Sequence, residues 1–142
     1  MMVGVKRNET RSRPWSHRGL VAICAAKRCT QADRNCFEDI LSDSAESRAA
    51  FGDQLALEFS TLPFGKVVGF GNLADCVPTL GLEVTLLEDS WGGYEPGRFA
   101  WQFDKIWRLR QPRPVVGRQF IFDVPLSDEE IAGAELVEAF TL

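Results

Sequence analysis

The residue types with most chemical potential sit at the start of the chain, in Gly4-Val5-Lys6-Arg7-Asn8-Glu9-Thr10-Arg11, with Arg18-Gly19 following at the head of an apolar run. Within six residues this places an amine, a carboxylate and a guanidinium. On an extended segment Glu9 and Arg11 share a face, and Lys6 joins them only if a turn intervenes. Such a group has the means to bind phosphate through Arg, position a water through Glu and stabilise an oxyanion through Lys. Judged by residue type alone, an exposed, salt-bridged terminus of little energetic weight is the simpler account.

A second candidate runs from Gly92 to Trp107. A glycine-rich turn carrying Tyr94 and Arg98 beside an aromatic strand offers stacking surface and phosphate contacts, the two requirements of a single-stranded nucleic acid binder. Phe99, Trp101 and Phe103 alternate strictly with other residues and read as one wall of the core. Trp91, Tyr94 and Arg98 fall outside that alternation and remain candidates for a ligand.

Cysteine and histidine point to little chemistry. Cys24, Cys29, Cys36 and Cys76 contain no C-x-x-C pair, and His17 is the single histidine. A tetrahedral metal site lacks its usual close ligand pairs, so neither metal nor cofactor is expected. Met1 to Thr10 lacks the apolar stretch of an export leader and no apolar run approaches membrane-spanning length, so reduced thiols, a cytoplasmic location and no membrane partner are expected. The formal charge of −4 is unevenly spread: residues 1–28 carry +6, residues 29–97 carry −9, residues 98–118 carry +5, and the remainder carries −6. Two distant basic blocks make one positive face only if the fold brings them together.

These side chains need a scaffold, and its elements are legible in outline. Gly19–Ala25 reads as a buried strand, and residues 31–60 as helical with a polar break at 42–47. Leu62-Pro63-Phe64-Gly65 is a turn leading into a strand over Lys66–Leu73, where Gly69 and Gly71 point to a bend or bulge. The clearest strand starts at Phe99, with Phe99, Trp101, Phe103 and Trp107 on one face. Gln111-Pro112-Arg113-Pro114 fits only an edge or a loop. Phe120, Phe122 and Val124 give the pattern of a further strand. Ser127-x-x-Glu130 is a capping box opening a last, acidic helix over 127–140, with Leu136, Val137 and Phe140 as its stripe. The length suits one α+β domain over 1–142, built as a bent sheet or small β-barrel with flanking helices.

Several of these segments together resemble the ASCH domain (activating signal cointegrator homology) of the PUA-like superfamily. They are Gly4-x-Lys6-x-x-Glu9-x-Arg11, Arg18-Gly19-Leu20-Val21-Ala22-Ile23-Cys24-Ala25-Ala26-Lys27, Leu62-Pro63-x-Gly65-Lys66-Val67-Val68-Gly69 with Asp75-Cys76-Val77, Gly93-Tyr94-x-Pro96-Gly97-Arg98-Phe99-Ala100-Trp101, and Pro112-x-Pro114 with Gly117. The resemblance spans roughly residues 4–124. It implies a PUA-like β-barrel with flanking helices and a cleft facing RNA or a nucleotide-like ligand, with Lys6, Glu9 and Arg11 inside it. Some relatives are amidohydrolases on N4-acetylcytidine that use a threonine three residues after the lysine. Here that position is Glu9, and Thr10 stands one place later. Family members also begin with an apolar strand before the lysine motif, which this chain lacks.

The resulting expectation is a domain that binds RNA or a modified nucleoside in a basic cleft. Arg11, Arg98 and Tyr94 are its ligand-binding residues, and Lys6, Glu9 and Thr10 its catalytic candidates. The alternatives are a metal-independent amidohydrolase or ribonuclease using the same residues, and a non-catalytic module whose acidic surface meets a protein partner or a second copy of the chain.

Overall fold

The computed structural model describes residues 6–43, 62–118 and 121–139. Within these, β1 (Asn8–Arg11), β2 (Gly19–Cys24), α1 (Gln31–Asp43), β3 (Lys66–Pro78), α2 (Leu86–Ser90), β4 (Phe99–Pro114), α3 (Asp128–Ala132) and β5 (Glu135–Ala139) follow one another along the chain. The fold is α+β, with an antiparallel sheet in the order β1-β4-β3-β2 and β5 also paired to β4. β3 lies along one edge of β4, while β1 at Phe99–Gln102 and β5 at Lys105–Arg108 share the other. Among the described residues nothing joins β1 to β2, so the sheet is open and the expected barrel is not closed. The second half of the expected helical region, 44–60, lies outside the described residues.

Irregular pairing bends the long strands. Leu73 faces Phe103 while Asn72 faces Lys105, which leaves Asp104 as an extra residue on β4; one step later Asp75 faces Gln102, leaving Ala74 extra on β3. Such bulges kink a strand and increase its twist. The Asp104 bulge also overturns part of the expected alternation. Trp101 and Phe103 pack with Leu73 and Ile106, whereas Trp107 turns to the opposite face and stacks on Phe70 at 5.2 Å. Gly71 is needed at this bend, because a Cβ there would stand 2.5 Å from the ring of the buried Phe103.

Two apolar clusters follow, one on each face of the sheet. Leu73, Trp101, Phe103 and Ile106 form the first, and Val67, Phe70 and Leu109 the second. The turn before β3 forms as expected, with Gly65 at φ 68°. Pro112 and Pro114 lie within β4 rather than in a loop, in a stretch where only β3 pairs with it among the described residues.

The C-terminal region departs further from expectation. The Ser127–Glu130 capping box forms, but its helix ends at Ala132 with Gly133 as C-cap. Glu135–Ala139 is then strand β5, although its composition favours helix, because pairing to β4 and an ion pair from Glu135 to Arg108 at 3.0 Å outweigh weak intrinsic propensity. Phe122 and Val124 lie in an irregular segment rather than a strand, since β1 and β5 occupy the β4 edge that would have received it. Phe120 and Phe140 lie outside the described residues.

Candidate functional site

β1 is the strand that divides the expected site in two. Glu9 is the cross-strand partner of Trp101, and Arg11 that of Phe99, so these side chains share one face. Asn8 and Thr10 necessarily point to the other. The face carrying Glu9 looks into a cavity of about 410 Å³. Its walls are Glu9 and Arg11 from β1, Trp15 and His17 from the following loop, Leu20 to Cys24 of β2, Trp101 and Phe103 of β4, and Ile121, Phe122 and Val124. β1 and β2 are the two ends of the strand order, so the sheet curls until both edges border this one space.

Inside the cavity the Glu9 carboxylate takes two cations. Arg11 Nη2 lies 3.0 Å from Oε1, and Lys6 Nζ lies 3.5 Å from Oε2. Lys6 reaches the carboxylate from the irregular residues that precede the strand, with no turn at residues 6 and 7. The aromatic wall is a continuous stack. Trp15 lies 4.8 Å from Trp101 and 4.7 Å from His17, and the Arg11 guanidinium sits 6.0 Å from the Trp101 ring centre. The loop is pinned by three contacts. Trp101 Nε1 donates to the Arg13 carbonyl at 3.3 Å, the Trp15 N–H to Cys76 Sγ at 3.5 Å, and Arg18 to Asp75 at 2.7 Å. The Cys76 N–H and Arg18 hold the Asp75 carboxyl below the usual range. His17 Nε2 lies 3.3 Å from the Leu20 carbonyl, a contact that needs the proton on that nitrogen.

Thr10, Tyr94 and Arg98 occupy the opposite face of β1, away from this cavity. The Thr10 hydroxyl, in a residue only 7% exposed, accepts from the Gly93 N–H at 3.1 Å. Arg98 donates from Nε to the Gly93 carbonyl and from Nη2 to the Thr10 carbonyl, both at 3.0 Å. Tyr94 donates its hydroxyl to Glu88 at 2.7 Å. Burial first, and then that bond to a carboxylate, push the phenol well above its ordinary pKa; the nearby Asn8 carboxamide opposes the shift without the geometry of a hydrogen bond. These groups contact main-chain atoms and Glu88 and do not line the cavity.

Glu88 is the organising residue that the sequence reading missed. It is 6% exposed and accepts from the Arg7 and Asn8 N–H groups at 3.0 Å each, as well as from Tyr94. Together with Arg98 on the Thr10 carbonyl, it satisfies β1 main-chain groups with side chains, which also blunts an exposed sheet edge. A signal was present: Thr85-x-x-Glu88 is a helix-start pattern, and the Thr85 hydroxyl does accept from the Glu88 N–H at 3.1 Å. Nothing local showed that the carboxylate would leave the cap for a strand eighty residues away. Trp15 and His17 were missed for a similar reason, since they lie in a loop without periodicity.

Part of each basic block is ion-paired in place, through Arg11 and Arg18 in the first and Arg98, Arg108 and Arg113 in the second. All four cysteines are free, and partial burial raises the Cys24 thiol pKa against the opposing influence of Arg113. Among the described residues no His, Cys, Asp or Glu cluster offers a metal site, and no helix is long and apolar enough to cross a membrane. No family model matches the chain, and no curated protein matches it.

Proposed function

We propose that this chain is an ASCH-type, PUA-like domain, its sheet a barrel of that type left open between β1 and β2, and that it binds a nucleoside, free or within single-stranded RNA, in the cavity between these strands. One observation carries the reading: an acid–base pair, Glu9 with Arg11, stands on the rim of an aromatic stack of Trp15, Trp101 and His17 inside a space of about 410 Å³. That volume lies in the range of small-molecule pockets, and the lining combines apolar walls with a few convergent polar groups. A nucleobase offers the matching features, a π-face for the aromatics and an edge with donors for the Glu9 carboxylate. Glu9 accepts from an amino or ring N–H group, and Trp15 with His17 supplies the stacking surface.

Tryptophan fluorescence tests this directly, because Trp15 and Trp101 line the cavity. Titration with cytidine, N4-acetylcytidine and a short single-stranded RNA is expected to change the emission saturably, and Trp15→Ala is expected to weaken all three. Silence toward every probe, from low to moderate salt, refutes the reading.

The Lys6–Glu9 contact favours a second reading, a metal-independent hydrolase in which Glu9 activates water and Lys6 stabilises the developing oxyanion. Thr10 has no part in it, since its hydroxyl is turned to Gly93. Turnover of N4-acetylcytidine or short RNA by the wild type and its loss in Lys6→Ala would establish this activity; equal turnover in both removes Lys6 from catalysis.

A further inference from the structure

The site already holds a planar cation of its own. Arg11 is the most exposed member of its cluster, with a side chain 60% accessible. Among the described residues its guanidinium makes one ion pair, to Glu9 at 3.0 Å, and faces the Trp101 ring at 6.0 Å. A flat, delocalised positive charge is what a carboxylate beside an indole face attracts most strongly. Among the described residues no other contact anchors this guanidinium, so it can swing into solvent at little cost and leave both partners to a ligand.

Resting on the nucleoside reading above, we propose that the cavity selects a positively charged, ring-N-alkylated nucleobase, for which Arg11 is the intramolecular placeholder. A neutral base obtains only stacking and hydrogen bonds to the carboxylate. A cationic one adds the attraction of the π-faces of Trp101 and Trp15 and a direct charge–charge attraction to Glu9. Lys6, the second cation on Glu9, opposes any cationic ligand and keeps the preference moderate. Arg11 competes for the same two partners, so its removal strengthens binding instead of weakening it.

1-Methyladenosine, cationic at neutral pH, and adenosine, neutral, are a matched pair without phosphate. Calorimetric titration of the full chain is expected to give about tenfold tighter binding of 1-methyladenosine than of adenosine. Arg11→Ala is expected to tighten 1-methyladenosine by roughly a further tenfold, and Glu9→Gln to bring the ratio of the two dissociation constants to about one. Equal affinity of the wild type for both nucleosides, or weaker binding of both by Arg11→Ala, overturns the placeholder while leaving the nucleoside reading in place. Failure of both to bind, with cytidine and N4-acetylcytidine also silent, removes the nucleoside reading and the placeholder with it.

Discussion

Replacing Glu88 by alanine tests the internal support of the site more severely than any change inside the cavity. The carboxylate accepts three hydrogen bonds, from the Arg7 and Asn8 N–H groups and from the Tyr94 hydroxyl. Asn8 is fully buried at 0% exposure, so water cannot replace the lost acceptor at its N–H. A buried donor left without an acceptor costs about 1–3 kcal/mol. The half-buried Arg7 N–H falls at the low end of that range, and the Tyr94 hydroxyl adds about 1 kcal/mol. The sum is roughly 3–5 kcal/mol, a large part of the 5–15 kcal/mol typical of a whole domain. At about 3–4 °C per kcal/mol for a chain of this size, the melting temperature falls by about 9–20 °C. Glu88→Gln, which keeps one acceptor oxygen, loses about half as much. Asp89→Ala, one residue away on the exposed side of α2, is the control and stays within about 0.5 kcal/mol. Urea unfolding followed by circular dichroism measures all three. A Glu88→Ala variant as stable as Asp89→Ala refutes the claim that side chains on α2 hold β1 in place.

Three further outcomes are expected. Tyr94 is the single tyrosine, so near-ultraviolet absorbance reads it alone; the native protein retains the phenol proton well beyond pH 10.0, where the unfolded chain releases it. Its contribution to stability is therefore complete below pH 10.0 and declines as the pH rises past that value, a decline that Tyr94→Phe removes from the alkaline unfolding profile. Gly71→Ala places a Cβ 2.5 Å from the Phe103 ring and 3.3 Å from the Lys105 carbonyl, and is expected to cost about 1–3 kcal/mol in urea unfolding. Ser127→Ala removes the hydroxyl that accepts from the Glu130 N–H and so caps α3, while the Ser127 N–H bond to the Glu130 carboxylate survives; the expected loss is about 1 kcal/mol by the same assay.

Local chemistry was readable wherever a few neighbouring residues decide the outcome. The turn at 62–65, the capping box at Ser127 and Glu130, and the places of strands β2 and β4 follow from short-range sterics, hydrogen bonding and apolar patterning, although β2 is half-buried to exposed rather than the buried strand expected. The pairing of Glu9 with Arg11 followed from spacing along one strand. The open sheet, the β5 strand and the Asp104 bulge did not, because each depends on the partner strand and on which edge of β4 is already occupied. A one-residue bulge reverses every side chain beyond it, so Trp107 changed faces although its own neighbourhood reads as regular strand.

The same division runs through the site. Sequence by itself determined which charged groups β1 carries and that Glu9 and Arg11 face the same way. Tertiary structure decided what that face looks onto, and it drew Thr10, Tyr94 and Arg98 behind the strand. There they answer main-chain groups of β1 and the carboxylate of Glu88, which no local pattern places beside them. The buried main-chain groups of β1 need partners, and side chains brought from α2 and the following loop supply them there.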